Sequence, residues 1–196
     1  IKKTTSIFYP KNLLELNPKE IESYLIRKLP IKAVSVSRKI FPPEIHLNFL
    51  EREPVALASR VLSNTTEKGM IDMEGSWIPL QFVNQSKKNK IKLSIENWNP
   101  NKKNEIILII KNRFNFKSPL QKIEINPLGE ISLKTEHFDS VLLGSGTDRL
   151  IEQIAKLNQL QKSLPNLLIN TKVKIVDLKD PDKPEIKIEK MLNKER

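Results

Sequence analysis

Apolar residues recur along this chain with two different periods, and the changes of period mark out its elements. Ile21, Tyr24, Leu25, Lys28 and Leu29 follow a helical spacing and form one helix face, with Lys28 at its rim. Asn17-Pro18-Lys19-Glu20 is a start signal for that helix: Asn17 can cap, Pro18 suits the first helical position, and Glu20 sits where a capping box places its acid. Pro30 stops it. From Ala33 to Ile40 the period drops to two, with Val34 and Val36 on one face and Ser35 and Ser37 on the other. Phe41-Pro42-Pro43 reads as a rigid turn, since neither proline can donate to a ladder. Ile45, Leu47 and Phe49 then alternate with His46 and Asn48, so an antiparallel hairpin is expected, its apolar face covering the helix. Upstream, Ser6 to Tyr9 reads as a third strand and Asn12 to Leu16 as a short extra helix.

After about Ser59 the pattern changes. The polar, turn-rich stretch from Ser63 to Gly69 reads as a loop or boundary. Met70-Ile71-Asp72 and Trp77-Ile78 flank a hairpin turn at Glu74-Gly75. Lys90 to Ile95 alternates as a short strand. The run from Glu105 to Lys111 fits a buried strand or a helix; its β-branched residues favour strand. Ile123, Ile125, Ile131, Leu133, Val141 and Leu143 alternate with polar residues around an Asn126-Pro127-Leu128-Gly129 break, as in a β-meander. Gly144-Ser145-Gly146-Thr147-Asp148 opens an amphipathic helix whose apolar set is Leu150, Ile151, Ile154, Leu157, Leu160 and Leu164, ended by Pro165. Val173 to Leu178 is the last clear strand. Asp180-Pro181-Asp182-Lys183-Pro184 breaks it, and Glu185 to Ile188 resumes extended structure before a charged tail. The order of elements predicts an α+β fold rather than a parallel α/β sheet. The expected division is a small domain over residues 1–60, a larger β-rich domain over 61–180, and an extended or disordered tail over 181–196.

Composition narrows the chemistry. The chain has 196 residues, 38% of them hydrophobic and none a cysteine, which excludes disulfides, thiolate metal sites and a cysteine nucleophile. Its net charge of +11 admits nucleic acid or anionic lipid as partners. The lysines are spread along the chain, however, and arginine, the better phosphate reader, is sparse, so no nucleic-acid partner is expected. No apolar run approaches the length that spans a bilayer.

No catalytic set assembles in the sequence. His46 and His137 lack a second ligand at metal spacing. Gly144-Ser145-Gly146 lacks the third glycine of a dinucleotide loop, where Arg149 stands, and the Gly-Lys-Ser/Thr of a P-loop. A tight turn capped by Ser145 or Thr147 accounts for it. Glu51-Arg52-Glu53 reads as an ion-paired strand end, and Asp72 and Glu74 as turn residues. We therefore expect no enzyme activity, no cofactor, no metal and no small-molecule substrate.

Several stretches, taken in order, resemble the extracytoplasmic region of the bacterial cell-division protein family FtsQ/DivIB. Val34-Ser35-Val36-Ser37-Arg38 followed by Phe41-Pro42-Pro43 is similar to the strand and proline turn of its POTRA domain, and Glu51-Arg52-Glu53-Pro54-Val55-Ala56 to the end of that domain. Met70-Ile71-Asp72-Met73-Glu74-Gly75 looks like the hairpin that opens the family's β domain. Leu133-Lys134-Thr135, Val141-Leu142-Leu143-Gly144 and Val176-Asp177-Leu178 continue in the same order. The resemblance covers roughly Asn12 to Leu178. It implies a POTRA domain with helices on a short mixed sheet, then a domain with a mainly antiparallel sheet and one long helix; it favours helix for residues 106–111. It suggests that Arg38 pairs with Glu51–Glu53 across the hairpin.

The family's members are single-pass proteins of the plasma membrane with most of the chain on the periplasmic side. The resemblance, together with an opening Ile1 in place of Met, therefore implies an anchor upstream and a scaffolding role in septum formation. The implied partners are FtsB- and FtsL-like division proteins, engaged by strand addition at a C-terminal sheet edge. Here that edge would comprise Ile175, Val176, Leu178 and Lys179, then Glu185, Ile186, Lys187 and Ile188. A second edge would lie at Val34, Val36 and Arg38. The aromatic residues and glycine that well-known members carry beyond Val-Asp-Leu are replaced here by Asp180-Pro181-Asp182-Lys183-Pro184 and two isoleucines. The alternative is a POTRA module of an outer-membrane assembly or secretion system, although tandem repeats and a barrel are not seen in the sequence.

Overall fold

A computed structural model of the chain describes residues 15–63, 65–146, 148–167 and 171–190. The expected strand at 6–9, most of the expected helix at 12–16 and the Thr147 cap lie outside these residues. The chain divides into two compact units, residues 1–53 and 54–196. The fold class is α+β: helices accompany a short hairpin in the first unit and a large mixed sheet in the second.

In the first unit, helix α1 (Pro18–Lys28) starts where the sequence placed its signal, and Asn17 Oδ1 accepts the Lys19 N–H at 3.1 Å. Strands β1 (Ile31–Lys39) and β2 (Glu44–Glu51) pair antiparallel, with Val36 opposite Leu47 and Val34 opposite Phe49. Those four residues share the face on which Ile21 and Leu25 of α1 are buried together with Leu16. Among the described residues this sheet has two antiparallel strands rather than a mixed set. The register corrects one expectation. Arg38 stands opposite Ile45 while Glu51 stands opposite Ile31, so about 20 Å of strand separates Arg38 from the acidic end. Arg38 instead donates to the Leu16 carbonyl at 3.0 Å.

The second unit begins at Pro54, earlier than the change of composition near Ser59 suggested. Strand β3 (Pro54–Leu62) belongs to it because β3 pairs with β4 (Thr65–Asp72) along its whole length. β5 (Trp77–Pro79) follows a turn in which Gly75 takes φ +68° and Asp72 Oδ1 accepts the Glu74 and Ser76 N–H groups. A short helix α2 (Gln85–Lys88) occupies part of the polar stretch, so the strand expected from Lys90 shrinks to β6 (Ser94–Glu96).

The ambiguous apolar run is helix α3 (Lys103–Asn112). Ile106, Ile109 and Ile110 are fully buried, the spacing of one helix face, and burial overrides their intrinsic strand preference. β7 (Leu120–Ile125), β8 (Ile131–Thr135) and β9 (Phe138–Gly144) form the expected meander. Helix α4 (Leu150–Leu167) carries the chain to β10 (Thr171–Asp177), which lies parallel to β9. Its helical path continues past Pro165, and Ile151, assigned by spacing to its apolar face, is 69% exposed. β11 (Glu185–Lys190) follows, antiparallel to β10.

The nine strands run in the order β11-β10-β9-β8-β7-β6-β3-β4-β5. Alternate residues such as Ile95, Ile123, Leu133, Val141 and Val176 are buried in one cluster with α3 and with Leu150, Ile154 and Leu157 of α4. The intervening positions stay accessible and carry ion pairs, as at Lys122, which meets Glu96 across the strands (2.7 Å) and Glu124 along its own strand (3.1 Å). No helix among the described residues is long and apolar enough to cross a membrane.

Candidate functional site

The sheet of the second unit ends in two unlike edges. β5 is three residues long and terminates in Pro79. β11 is six residues long, pairs with β10 on one side and has no strand on the other among the described residues. Such a strand edge is a template for pairing with another chain. Ile186 leans on the core and Ile188 is 49% exposed, while Glu185, Lys187 and Glu189 point to solvent.

The structure separates the predicted edge residues into two sets. Ile175 and Val176 belong to β10, an interior strand whose backbone pairs with both β9 and β11. Val176 and Leu178 are fully buried, and the Leu178 N–H donates to the Leu142 carbonyl. These residues support the edge from beneath and do not offer it. Lys179 lies at the surface beyond β10. Only Glu185, Ile186, Lys187 and Ile188 stand on the open strand. Sequence could not make that distinction, because Asp180-Pro181-Asp182-Lys183-Pro184 is the turn of a hairpin rather than the end of the sheet.

Two clamps hold this hairpin, and neither was visible as a motif. Arg149, at the start of α4, donates to Glu152 (2.8 Å), Asp180 (3.0 Å) and Asp182 (2.6 Å). The Asp182 and Glu152 carboxylates raise the pKa of its guanidinium above the ordinary value. Lys179 Nζ donates to Glu130 Oε1 at 2.9 Å, tying the hairpin to the β7–β8 turn. That contact raises the Lys179 pKa; with the Asn126 amide it holds the Glu130 carboxyl below the usual range. Beneath them the buried Gln153 side chain donates to the Leu143 and Leu178 carbonyls at 2.8 and 2.9 Å. The pair Asp180 and Asp182, two carboxylates close together in one loop, is the sequence feature that a search for a distant cation would start from.

The second predicted edge sits on β1. Val36 is buried and its N–H donates to Glu22 Oε1 at 2.8 Å, so α1 supplies that part of the edge with an acceptor. Val34 packs on the α1 core, and the Arg38 guanidinium is engaged with the Leu16 carbonyl.

The other candidates have structural roles. His46 meets Glu44 at 3.1 Å on the accessible hairpin, and the backbone of His137 is held by Ser118 Oγ. The Ser145 carbonyl accepts from Lys102 Nζ at 2.8 Å. Among the described residues no group of three or more histidines, aspartates or glutamates gathers as metal ligands. A surface cleft of about 730 Å³ is lined by Arg60, Trp98, Asn101, Lys102 and Leu128 among others, with no histidine, carboxylate or serine in its wall. Its cations are already matched, Arg60 to Glu67 at 2.7 Å and Lys102 to Glu105 at 3.1 Å. Among the described residues its wall brings together no acid–base pair. What the unit presents is an open strand on a supported hairpin. No protein-family model matches this chain, and no curated protein sequence matches it.

Proposed function

We propose that the chain is a non-enzymatic scaffold of the bacterial division machinery, of the FtsQ/DivIB kind. It works at the extracytoplasmic face of the plasma membrane and binds FtsB- and FtsL-like proteins during septum formation. The observation that carries this reading is the outer side of β11, which no strand among the described residues pairs with. A partner strand added there converts exposed backbone groups into ladder hydrogen bonds, each contributing about 0.5–1.5 kcal/mol net. Its side chains also cover Ile188. The ordered motifs from Val34 to Leu178 support the family, and the α+β architecture is the one the family implies.

The test is co-purification of an FtsB-like partner with the chain and with its Ile186→Asp/Ile188→Asp variant. Loss of the partner from a variant that keeps its circular-dichroism spectrum is expected. Undiminished capture by the variant would remove β11 as the docking strand.

A further inference from the structure

The open edge carries side chains that restrict which strand it accepts. On one face Glu185, Lys187 and Glu189 are exposed in the order anion, cation, anion. On the other face Ile186 packs on the core while half of Ile188 is uncovered. The strand beneath sharpens the first position: Asp177 lies directly opposite Glu185, so two carboxylates stand side by side where the edge begins. Lys187 lies opposite Ile175, which cannot neutralise it. Glu189 stands opposite Lys172 in the ladder and meets Lys174 at 3.4 Å between two exposed side chains, so the strand beneath already supplies it with positive charge.

We infer that the strand docked on β11 carries a basic, an acidic and a basic residue against Glu185, Lys187 and Glu189, with aliphatic residues between them. This rests on the strand-addition reading above and adds the chemistry of the partner. Residues directly opposite on neighbouring strands sit about 4.5–5.5 Å apart at Cβ, close enough for opposite charges to stabilise the pair and like charges to oppose it. The aliphatic positions fall on the other face and extend the row of Ile186 and Ile188. A second copy of this chain opposes like charges in the antiparallel register that sets Ile186 against Ile188, where Glu185 meets Glu189 and Lys187 meets Lys187; the register that sets Ile186 against Ile186 brings Glu185 against Lys187. The basic–acidic–basic order reads the same in both directions, so charge selects the partner's sequence and leaves strand direction to other contacts.

Two fluorescein-labelled hexapeptides test this against the full chain by fluorescence anisotropy: Lys-Val-Glu-Val-Lys-Val and Glu-Val-Lys-Val-Glu-Val. At low ionic strength the first is expected to bind about ten-fold more tightly, the sum of three reversed cross-strand pairs. The ratio falls towards one as salt screens the pairs. The Glu185→Lys/Lys187→Glu/Glu189→Lys chain, altered only at exposed positions, should reverse the preference. Equal binding of both peptides, with no reversal, overturns the charge pattern and leaves strand addition standing. Failure of both to bind at millimolar concentration removes strand addition itself.

Discussion

The two edges of the nine-stranded sheet are held in different ways. At β5 the edge is packed. Trp77 stacks against Trp98 with ring centroids 5.6 Å apart, and the Arg60 guanidinium lies 4.2 Å above its ring. Gly69 on β4 leaves room for the indole, since a Cβ there would clash with the Trp77 ring. Shortness and Pro79 then deny the edge to another strand. At β11 the side chains that fix the hairpin are Arg149, Lys179 and their carboxylates, all at the surface. One edge is closed by apolar burial. The other is kept in place by ions and left open on its outer side. Alternating charge on such a strand discourages indiscriminate pairing while admitting a complementary partner.

The comparison breaks most easily at its packed side. Trp77→Ala removes the indole from Trp98, Arg60 and the surface of Gly69. It is expected to cost about 2–4 kcal/mol and to lower the melting temperature by roughly 5–10 °C. Ile188→Ala, at a half-exposed position on the other edge, should cost less than about 1 kcal/mol. Urea and thermal unfolding of the two variants measure the difference. Equal losses would mean that β11 is as much a part of the core as β5, and the contrast between the edges would fall.

What the sequence revealed follows the range of the interactions involved. The α1 cap, the β1–β2 hairpin and the meander rest on neighbours in the chain: Asn17 with Lys19, the alternation from Val34 to Val36, and the Asn126 turn. These were legible. α3 was not settled by its residues alone, because a short run of isoleucines satisfies both periods until a sheet is present to bury one helical face. The place of β10 was misjudged for a similar reason. The resemblance sets the edge at Ile175–Lys179, but a bulge between Val173 and Ile175 brings Val173 to the buried face of Val176 and Leu178, and only the return of Glu185–Lys190 makes β10 interior. The clamp on that return joins Arg149 to carboxylates 31 and 33 positions away, a separation at which charge pairing leaves no periodic trace.

Arg149 gives the next prediction, smaller in stability but specific to the open edge. Arg149→Gln removes three charge-assisted hydrogen bonds at the surface. Hydrogen exchange should accelerate in the loop of residues 179–184 and along β11, while the strands around β5 keep their protection. The melting temperature should move little, because exposed ion pairs are screened and stabilise weakly. Mass-resolved exchange measures this directly. If β11 retained its protection in the variant, the ladder to β10 would be sufficient to seat the edge and the clamp would be incidental.

The smallest effect should come from the Lys179–Glu130 pair, and its sign follows from the direction of each shift. The Glu130 carboxyl is held below its usual range, first by the hydrogen bond from Lys179 and then by Asn126. Its contribution is fully present above the unfolded carboxylate pKa and is lost as pH falls through the lower, folded one. The Lys179 pKa is raised by Glu130, so its contribution is fully present below the unfolded lysine pKa and is lost as pH rises through the higher, folded one. The clamp should therefore stay closed between the ordinary glutamate and lysine ranges and open beyond either. The Glu130 side-chain carboxyl resonance should titrate below those of exposed glutamates, and in Lys179→Met it should shift upward towards them. Because Trp77 and Trp98 do not titrate, acidification should loosen the β11 hairpin before the β5 edge responds. Simultaneous loosening of both edges would show that acid acts on the shared core and that their separate means of attachment do not matter.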